Sequence, residues 1–188
     1  MAGVRHARFE DAPALAKVEV ETWRATYPGM VADSVLLNMS ERRKTVMWAR
    51  ELVSDPRGVK VWSDGGAGIL GFGHCGPQRD RALAYDGEVT MLYVLPDAQG
   101  MGIGKHLLTA LFEQLADRDC RSALIWVVKA NPSRFFYERM GGRLALERRI
   151  VVGGEPVDTL GYGWNDLPSF LGRKVRTRNR SAGPSPES

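Results

Sequence analysis

Between Glu88 and Leu115 the chain reads E-V-T-M-L-Y-V-L-P-D-A-Q-G-M-G-I-G-K-H-L-L-T-A-L-F-E-Q-L: a strand, a glycine-rich turn and a helix in direct succession. Met91, Leu92, Tyr93, Val94 and Leu95 form an unbroken apolar run, the pattern of a strand buried on both faces. Pro96 and Asp97 end it. Ile103, Leu107, Leu108, Leu111, Phe112 and Leu115 then recur at helical spacing and predict a long amphipathic helix. Gly100, Gly102 and Gly104 lie at the junction. Alternating glycines remove Cβ atoms where a helix presents its unpaired N–H groups, so a ligand can approach the backbone closely. Those N–H groups and the helix dipole favour an anion, typically a phosphate.

Two common phosphate-binding templates do not fit. A P-loop, G-x-x-x-x-G-K-[ST], fails because Gly104-Lys105 is followed by His106 and because Gln stands at position 99. A dinucleotide fingerprint, G-x-G-x-x-G, needs glycine where Lys105 or Leu107 sits. The loop does fit Q-x-x-G-x-G, read as Gln99, Gly102 and Gly104 directly after a buried strand. In this it resembles the acetyl-CoA loop of the GNAT superfamily of N-acetyltransferases; the plain alternative is a tight strand-to-helix turn.

The rest of the chain suggests elements on either side. Residues 3–9 read as a first strand. A helix from Glu10 or Asp11 to about Tyr27 carries Leu15, Val18, Thr22 and Trp23 on one face and stops at Pro28-Gly29. One or two helical turns fit Val31 to Asn38. A helix over about 41–53, capped by Ser40, has Val46, Met47, Ala49 and Leu52 as its apolar positions. Val59–Ser63 and Ile69–Cys75 read as a hairpin about Asp64-Gly65-Gly66. Residues 76–86 form a loop of functional length. Ser122–Val128 is another buried strand, parallel to 88–95 because a helix crosses between them. Asn131-Pro132 opens a short helix with Phe135, Phe136 and Met140 on its apolar side, and a hairpin about Gly153-Gly154 follows. The sum is an α/β mixed sheet with flanking helices.

Charge narrows the partners. The net charge of +4 equals the balance of residues 173–188 alone, which carry Arg173, Lys174, Arg176, Arg178 and Arg180 against Glu187. The remaining body is balanced, which argues against a basic nucleic-acid face on it. We therefore expect one domain over 1–168 and a basic, disordered tail over 169–188. There is no apolar run long enough for a membrane span and no apolar stretch of a signal peptide after Arg5, His6 and Arg8, so a cytoplasmic protein is expected. Cys75 and Cys120 stand alone, so neither a disulfide framework nor a metal site is expected. His6, His74 and His106 have no partner pattern that asks for a special role.

A second motif strengthens the resemblance. Asn131 to Gly142, N-P-S-R-F-F-Y-E-R-M-G-G, is similar to the family's asparagine followed by a helix ending F-Y-E-x-x-G. It matches at Asn131, Phe136, Tyr137, Glu138 and Gly141, and departs at Gly142, where the family usually carries phenylalanine. With the order of elements over residues 3–165, this implies the GNAT fold: a mostly antiparallel central sheet whose one parallel pair, 88–95 and 122–128, splays apart to admit the pantetheine arm. It implies acetyl transfer from acetyl-CoA, as co-substrate and without metal, to a primary amine by direct attack.

The resemblance also implies roles. Tyr137 would protonate the departing thiolate; on the helix alone it reads as a packing residue. Glu88 would be the base that takes the amine's proton, or else only a solvated strand start. Backbone groups of Leu92 and Val94 would meet pantetheine and the thioester oxygen. Gln99, Gly100, Met101, Gly102, Ile103, Gly104 and Lys105 would hold the pyrophosphate, and Asn131 and Ser133 would touch the cofactor from the second motif; Asn131 also reads as a helix cap. Thr22 to Gly29, T-W-R-A-T-Y-P-G, is similar to a W-x-x-x-Y-x-G segment bordering the acceptor site in a GNAT subgroup, so Trp23 and Tyr27 are candidate acceptor-site residues or, equally, a core pair. The amine acceptor could be a peptide or a small molecule. Homodimers are common in the family, and no residue here decides that question. Two other functions remain compatible: a non-catalytic acyl-CoA-binding or regulatory domain, and a nucleic-acid-associated protein acting through the Arg173–Arg180 tail.

Overall fold

The computed structural model describes residues 2–66 and 68–173. Its elements are β1 (Gly3–His6), a 3-10 turn (Phe9–Asp11), α1 (Ala12–Thr26), α2 (Asp33–Leu37), α3 (Glu41–Ser54), β2 (Val59–Ser63), β3 (Ile69–Pro77), β4 (Gly87–Val94), a 3-10 turn (Pro96–Ala98), α4 (Ile103–Ala116), β5 (Ala123–Val128), α5 (Arg134–Arg139), β6 (Arg143–Val152), β7 (Glu155–Trp164) and α6 (Leu167–Phe170). The seven strands form one sheet in the order β1-β2-β3-β4-β5-β7-β6. β4 and β5 are its parallel pair, and the other neighbours are antiparallel.

Helices cover both faces. The apolar stripe of α4 puts Leu108, Leu111, Phe112 and Leu115 into one core with Cys75, Val89 and Ile125. On the opposite face Leu15 and Val18 of α1 and Trp48 and Leu52 of α3 pack on Val59, Val61 and Phe72. Each of these large side chains gains about 1.5–3 kcal/mol by leaving water. α1 and α3 are also joined by a buried polar contact. The Glu19 carboxylate, almost wholly buried, accepts hydrogen bonds from Lys44 Nζ (2.5 Å) and Trp48 Nε1 (2.8 Å).

Several expectations change in detail. The buried face of α3 is Trp48 and Leu52; Val46 and Met47 are exposed, because the helix turns Trp48 toward Glu19 and Phe72. Phe135 is exposed with the Arg134 guanidinium over its ring, and Phe136 packs inward. A boundary at 168 falls inside α6, whose Phe170 meets Phe112 edge-on, and Arg173 pairs with Asp117. The rest of the expected basic tail lies outside the described residues. Gly142 has its own reason for lacking a side chain: a Cβ there would sit 2.7 Å from Trp164 Cζ2. The indole of Trp164 occupies the space next to position 142 and leaves no room for a side chain there.

One irregularity in the sheet positions everything that follows. His74 of β3 stands opposite Met91, while its neighbour Cys75 stands opposite Val89. Thr90 is therefore an extra residue in β4, a β-bulge. Bulges bend a strand and increase its twist. Val89 accordingly packs on the α4 side and Met91 on the α1/α3 side, although two residues apart they would normally share a face. The parallel pairing of β4 with β5 covers only Gly87–Val89 against Ala123–Ile125. Beyond it β4 stays with β3 to Val94 and β5 stays with β7 to Val128. The two central strands part at the bulge, as the splayed pair requires.

Candidate active site

The gap between the parted strands is a cleft of about 430 Å³. Thr90–Val94 form one wall and Ile125–Val127 the other. The loop Gln99–Gly100 and Gly102–Lys105 closes one end, α1 contributes Thr22, Thr26 and Tyr27, and α5 and its approach contribute Asn131, Ser133, Phe136 and Tyr137.

The β4 wall presents unpaired backbone. Leu95 N–H donates to Leu70 O on the β3 side. Alternation along an antiparallel strand turns the N–H groups of Leu92 and Val94 the other way, toward the gap that β5 has left. The Val94 carbonyl accepts a hydrogen bond from Gln99 Nε2 (3.1 Å), which ties the loop to the strand end and explains a glutamine at this position.

The loop is built to expose N–H groups. Gly100 and Gly102 have φ of 77° and 81°, a left-handed conformation that side chains resist. Gly102 is the N-cap of α4 and carries no capping side chain, so the first N–H groups of the helix face the cleft end. Ile103 is buried and anchors the first turn, whereas the Met101 side chain is exposed away from the cleft. Lys105 and Arg139 line the cleft near this end and supply positive charge.

Tyr137 is buried in α5, and its hydroxyl has no hydrogen-bond partner among the described residues. Burial, with Tyr27 nearby, holds its pKa well above the ordinary phenol value, so the group keeps its proton. Asn131 takes both roles that its sequence position allowed. Its Oδ1 accepts Ser133 N–H (2.8 Å) and shapes the turn into α5, while its Nδ2 donates to Tyr27 Oη (3.4 Å). Tyr27 lines the cleft. Trp23 does not: it stacks on Tyr27 with ring centroids 4.5 Å apart and donates Nε1–H to Tyr93 Oη (3.0 Å). Of the W-x-x-x-Y segment, Tyr27 faces the cavity and Trp23 buttresses it.

Glu88 departs from the expected free carboxylate facing substrate. It is absent from the cleft wall, and its side chain is 3% exposed. Arg79 grips both oxygens, Nη2 to Oε1 at 2.5 Å and Nε to Oε2 at 3.0 Å. Lone pairs held by a guanidinium are poorly placed to take a proton from an amine. The loop carrying Arg79 is itself pinned, since Arg148 of β6 donates to Asp80 (2.7 Å) and lies over Trp126.

Thr90 and Trp126 line the cleft although the sequence marked neither as a site residue, and so does Thr22, which the sequence placed on the apolar face of α1. Thr22 Oγ1 is buried with no hydrogen-bond partner among the described residues, an unusual state for a hydroxyl. His74, which had no partner in the sequence pattern, bonds to Thr90 and Glu51.

Comparison with known proteins agrees with this architecture. Residues 19–142 match the family model of the acetyltransferase (GNAT) family, and the chain belongs to that family. It is a GNAT-type acetyltransferase, and acetyl transfer to an amine is the general kind of reaction such a fold carries. Among its relatives, the uncharacterized N-acetyltransferase YuaI of Bacillus subtilis is 32% identical over 170 residues, covering 90% of this chain and 96% of that protein. A mycothiol acetyltransferase of Actinosynnema mirum is 32% identical over 135 residues, which cover 71% of this chain and 41% of that protein. The structure of yncA, a putative acetyltransferase from Salmonella typhimurium with its cofactor acetyl-CoA, superposes with a TM-score of 0.67 at 17% identity, covering 98% of both chains. No helix among the described residues is long and apolar enough to cross a membrane.

Proposed function

We propose that this chain transfers the acetyl group of acetyl-CoA to a primary amine by direct attack within the cleft between β4 and β5. One observation carries the reading: the parallel pair opens at the Thr90 bulge into a cavity with unpaired backbone on one wall and a helix N-terminus at one end. The pantetheine arm, an extended amide chain, pairs with the free edge of β4 as an added strand. Gln99 to Lys105 hold the pyrophosphate through backbone N–H groups, with Lys105 adding charge. Asn131 and Ser133 border the arm from the opposite side.

The chemistry follows from the same geometry. The neutral amine attacks the thioester carbon, and negative charge grows on its oxygen. The Val94 N–H is the donor that meets this charge. The C–S bond then breaks, and Tyr137 gives its proton to the departing sulfur and regains one from the new amide nitrogen. A hydroxyl kept protonated by burial, with no competing partner, suits that task. The acceptor enters from the α1 side, where Thr22, Thr26 and Tyr27 line the cleft. The relative named for mycothiol acetylation covers too little of its own length in common with this chain to fix the acceptor here.

A thiol-release assay with acetyl-CoA and a panel of primary amines, from amino acids and peptides to polyamines, tests the proposal. Amine-dependent release of CoA, with acetylated product by mass spectrometry, is the expected result. Acetyl-CoA binding without release against any amine class would leave only the non-catalytic, acyl-CoA-binding reading.

A further inference from the structure

Direct attack needs a neutral amine, yet an alkylamine is almost wholly protonated at neutral pH. Glu88, occupied by Arg79, is not free to take that proton. A different chain of groups leads out of the cleft. Thr90, the bulged residue on the cleft wall, places Oγ1 2.5 Å from His74 Nδ1. His74 Nε2 lies 3.3 Å from Glu51 Oε1, and Glu51 is 38% exposed at the protein surface. We propose that Thr90, His74 and Glu51 form a proton relay that carries the acceptor's proton from the cleft to solvent. This proposal rests on the acetyl-transfer reading of the cleft and names the residues that deprotonate its substrate.

The direction of the relay is fixed by its partners. A carboxylate accepts only, so Glu51 selects the His74 tautomer with the proton on Nε2. Nδ1 is then the acceptor, and Thr90 must donate its hydroxyl proton to it. The Thr90 oxygen keeps a lone pair for an ammonium or a water in the cleft. In the step itself an N–H bond of the ammonium breaks and its proton goes to Thr90 Oγ1. The Thr90 hydroxyl proton passes to His74 Nδ1, and the imidazolium so formed is held by Glu51. Proton loss from Nε2 through Glu51 leaves the Nδ1–H tautomer, and the relay resets when Nε2 takes back a solvent proton through Glu51 as Nδ1–H is returned through Thr90 to water in the emptied cleft. The electron pair freed on nitrogen is the one that attacks the thioester, so no oxidant or further reactant is required. The Thr90 hydroxyl has an alternative acceptor, the His74 carbonyl at 3.4 Å, so it can swing between two positions.

The bulge is what makes this geometry available. Without the extra residue, β4 would keep its normal alternation at this point; with it, Thr90 meets both His74 and the cleft. The surroundings also suit a transient proton. Burial lowers the His74 pKa, Glu51 and Asp55 act to raise it, and Arg79 acts to lower it. Asp55 is itself bound by Arg118, and Arg79 by Glu88. His74 is thus neutral and ready to accept at neutral pH, yet faces carboxylates that stabilise it once charged.

Two readouts test the relay. Imidazole nitrogen–proton correlation spectra of the protein with acetyl-CoA report the tautomer of His74, with His6→Gln and His106→Gln variants assigning the other two signals. The Nε2–H tautomer is expected; an Nδ1–H tautomer would overturn the relay, because Nδ1 could then accept nothing from Thr90. The second readout is thiol release with two small nucleophiles, ethylamine, which is protonated at neutral pH, and hydroxylamine, which is neutral. In Thr90→Val and His74→Gln, kcat/KM for ethylamine should fall about 100-fold, and for hydroxylamine by no more than about threefold. Equal losses with both nucleophiles would reduce the trio to a structural role. A selective loss of ethylamine activity in Glu88→Gln but not in Thr90→Val would return the base to Glu88. If the wild-type protein acetylates neither probe nor any amine of the panel above, the acetyl-transfer reading is what fails, and the tautomer measurement still decides the relay.

Discussion

Tyr137 is the residue on which the chemistry depends most. It is buried in the core and protonated, and its hydroxyl has no hydrogen-bond partner among the described residues, which leaves it open to a ligand in the cleft that it lines. Tyr137→Phe keeps the ring and its packing against Tyr162 and Trp164. We expect kcat to fall about 100-fold and acetyl-CoA affinity to change by less than about threefold, measured by steady-state kinetics and calorimetry. Equal kcat in the variant would reduce Tyr137 to a core residue. A second prediction concerns Glu19. Lys44→Met leaves a buried carboxylate with Trp48 as its hydrogen-bond donor, and should destabilise the fold by about 3 kcal/mol in denaturant unfolding. Tyr137 and Asn131 were legible in the sequence because their motif is local. Glu19, Thr90 and His74 were not, since each acquires its meaning from partners 16 to 29 residues away.

At the scale of elements, the strand-loop-helix unit was readable because a buried apolar run, a glycine turn and a helical stripe are all local patterns. The bulge at Thr90 was not, because it depends on the register with β3 and leaves no mark in E-V-T-M-L-Y-V. Nor was the placement of β7 between β5 and β6, although its buried residues Leu160, Tyr162 and Trp164 are what a central strand requires. The helix α3 was found and its buried face half so: Leu52 lies in the core with Ala49 packed against it, but Trp48 takes the place expected of Val46 and Met47. At the loop, Gly102→Ala forces a side chain to φ 81°. That strain costs about 1–2 kcal/mol and should lower Tm by roughly 2–8 °C; acetyl-CoA binding should weaken with it. At the far end of α3, the Arg118 guanidinium holds the Asp55 carboxyl below its ordinary range and joins α3 to the segment after α4. A depressed folded pKa means a contribution fully present above the unfolded value and lost as pH falls through the folded one. Asp55→Asn should therefore be less stable at neutral pH, and its stability should depend less steeply on pH in the acid range, as followed by thermal melts from pH 7 to pH 2.

For the whole molecule, the function sits where regular structure gives way. Five of the six strand-to-strand pairings are antiparallel; the parallel one opens after three residue pairs, and the cleft is that opening. α1 and α3 pack on one side and α4 on the other, so each wall is backed by a helix layer and the gap does not close. The net charge of the chain says little about this site, because it resides in residues 173–188. The central claim is that the gap between β4 and β5 is an acetyl-CoA site, and calorimetric titration with acetyl-CoA, with ATP as the phosphate-bearing control, tests it most directly. One acetyl-CoA per chain should bind, at least about tenfold more tightly than ATP, a difference of about 1.4 kcal/mol that pantetheine pairing on β4 must supply. Equal affinity for the two, or no binding of either, would contradict it: the glycine loop would then be only a turn, and the parting of the central strands would have no ligand to explain it.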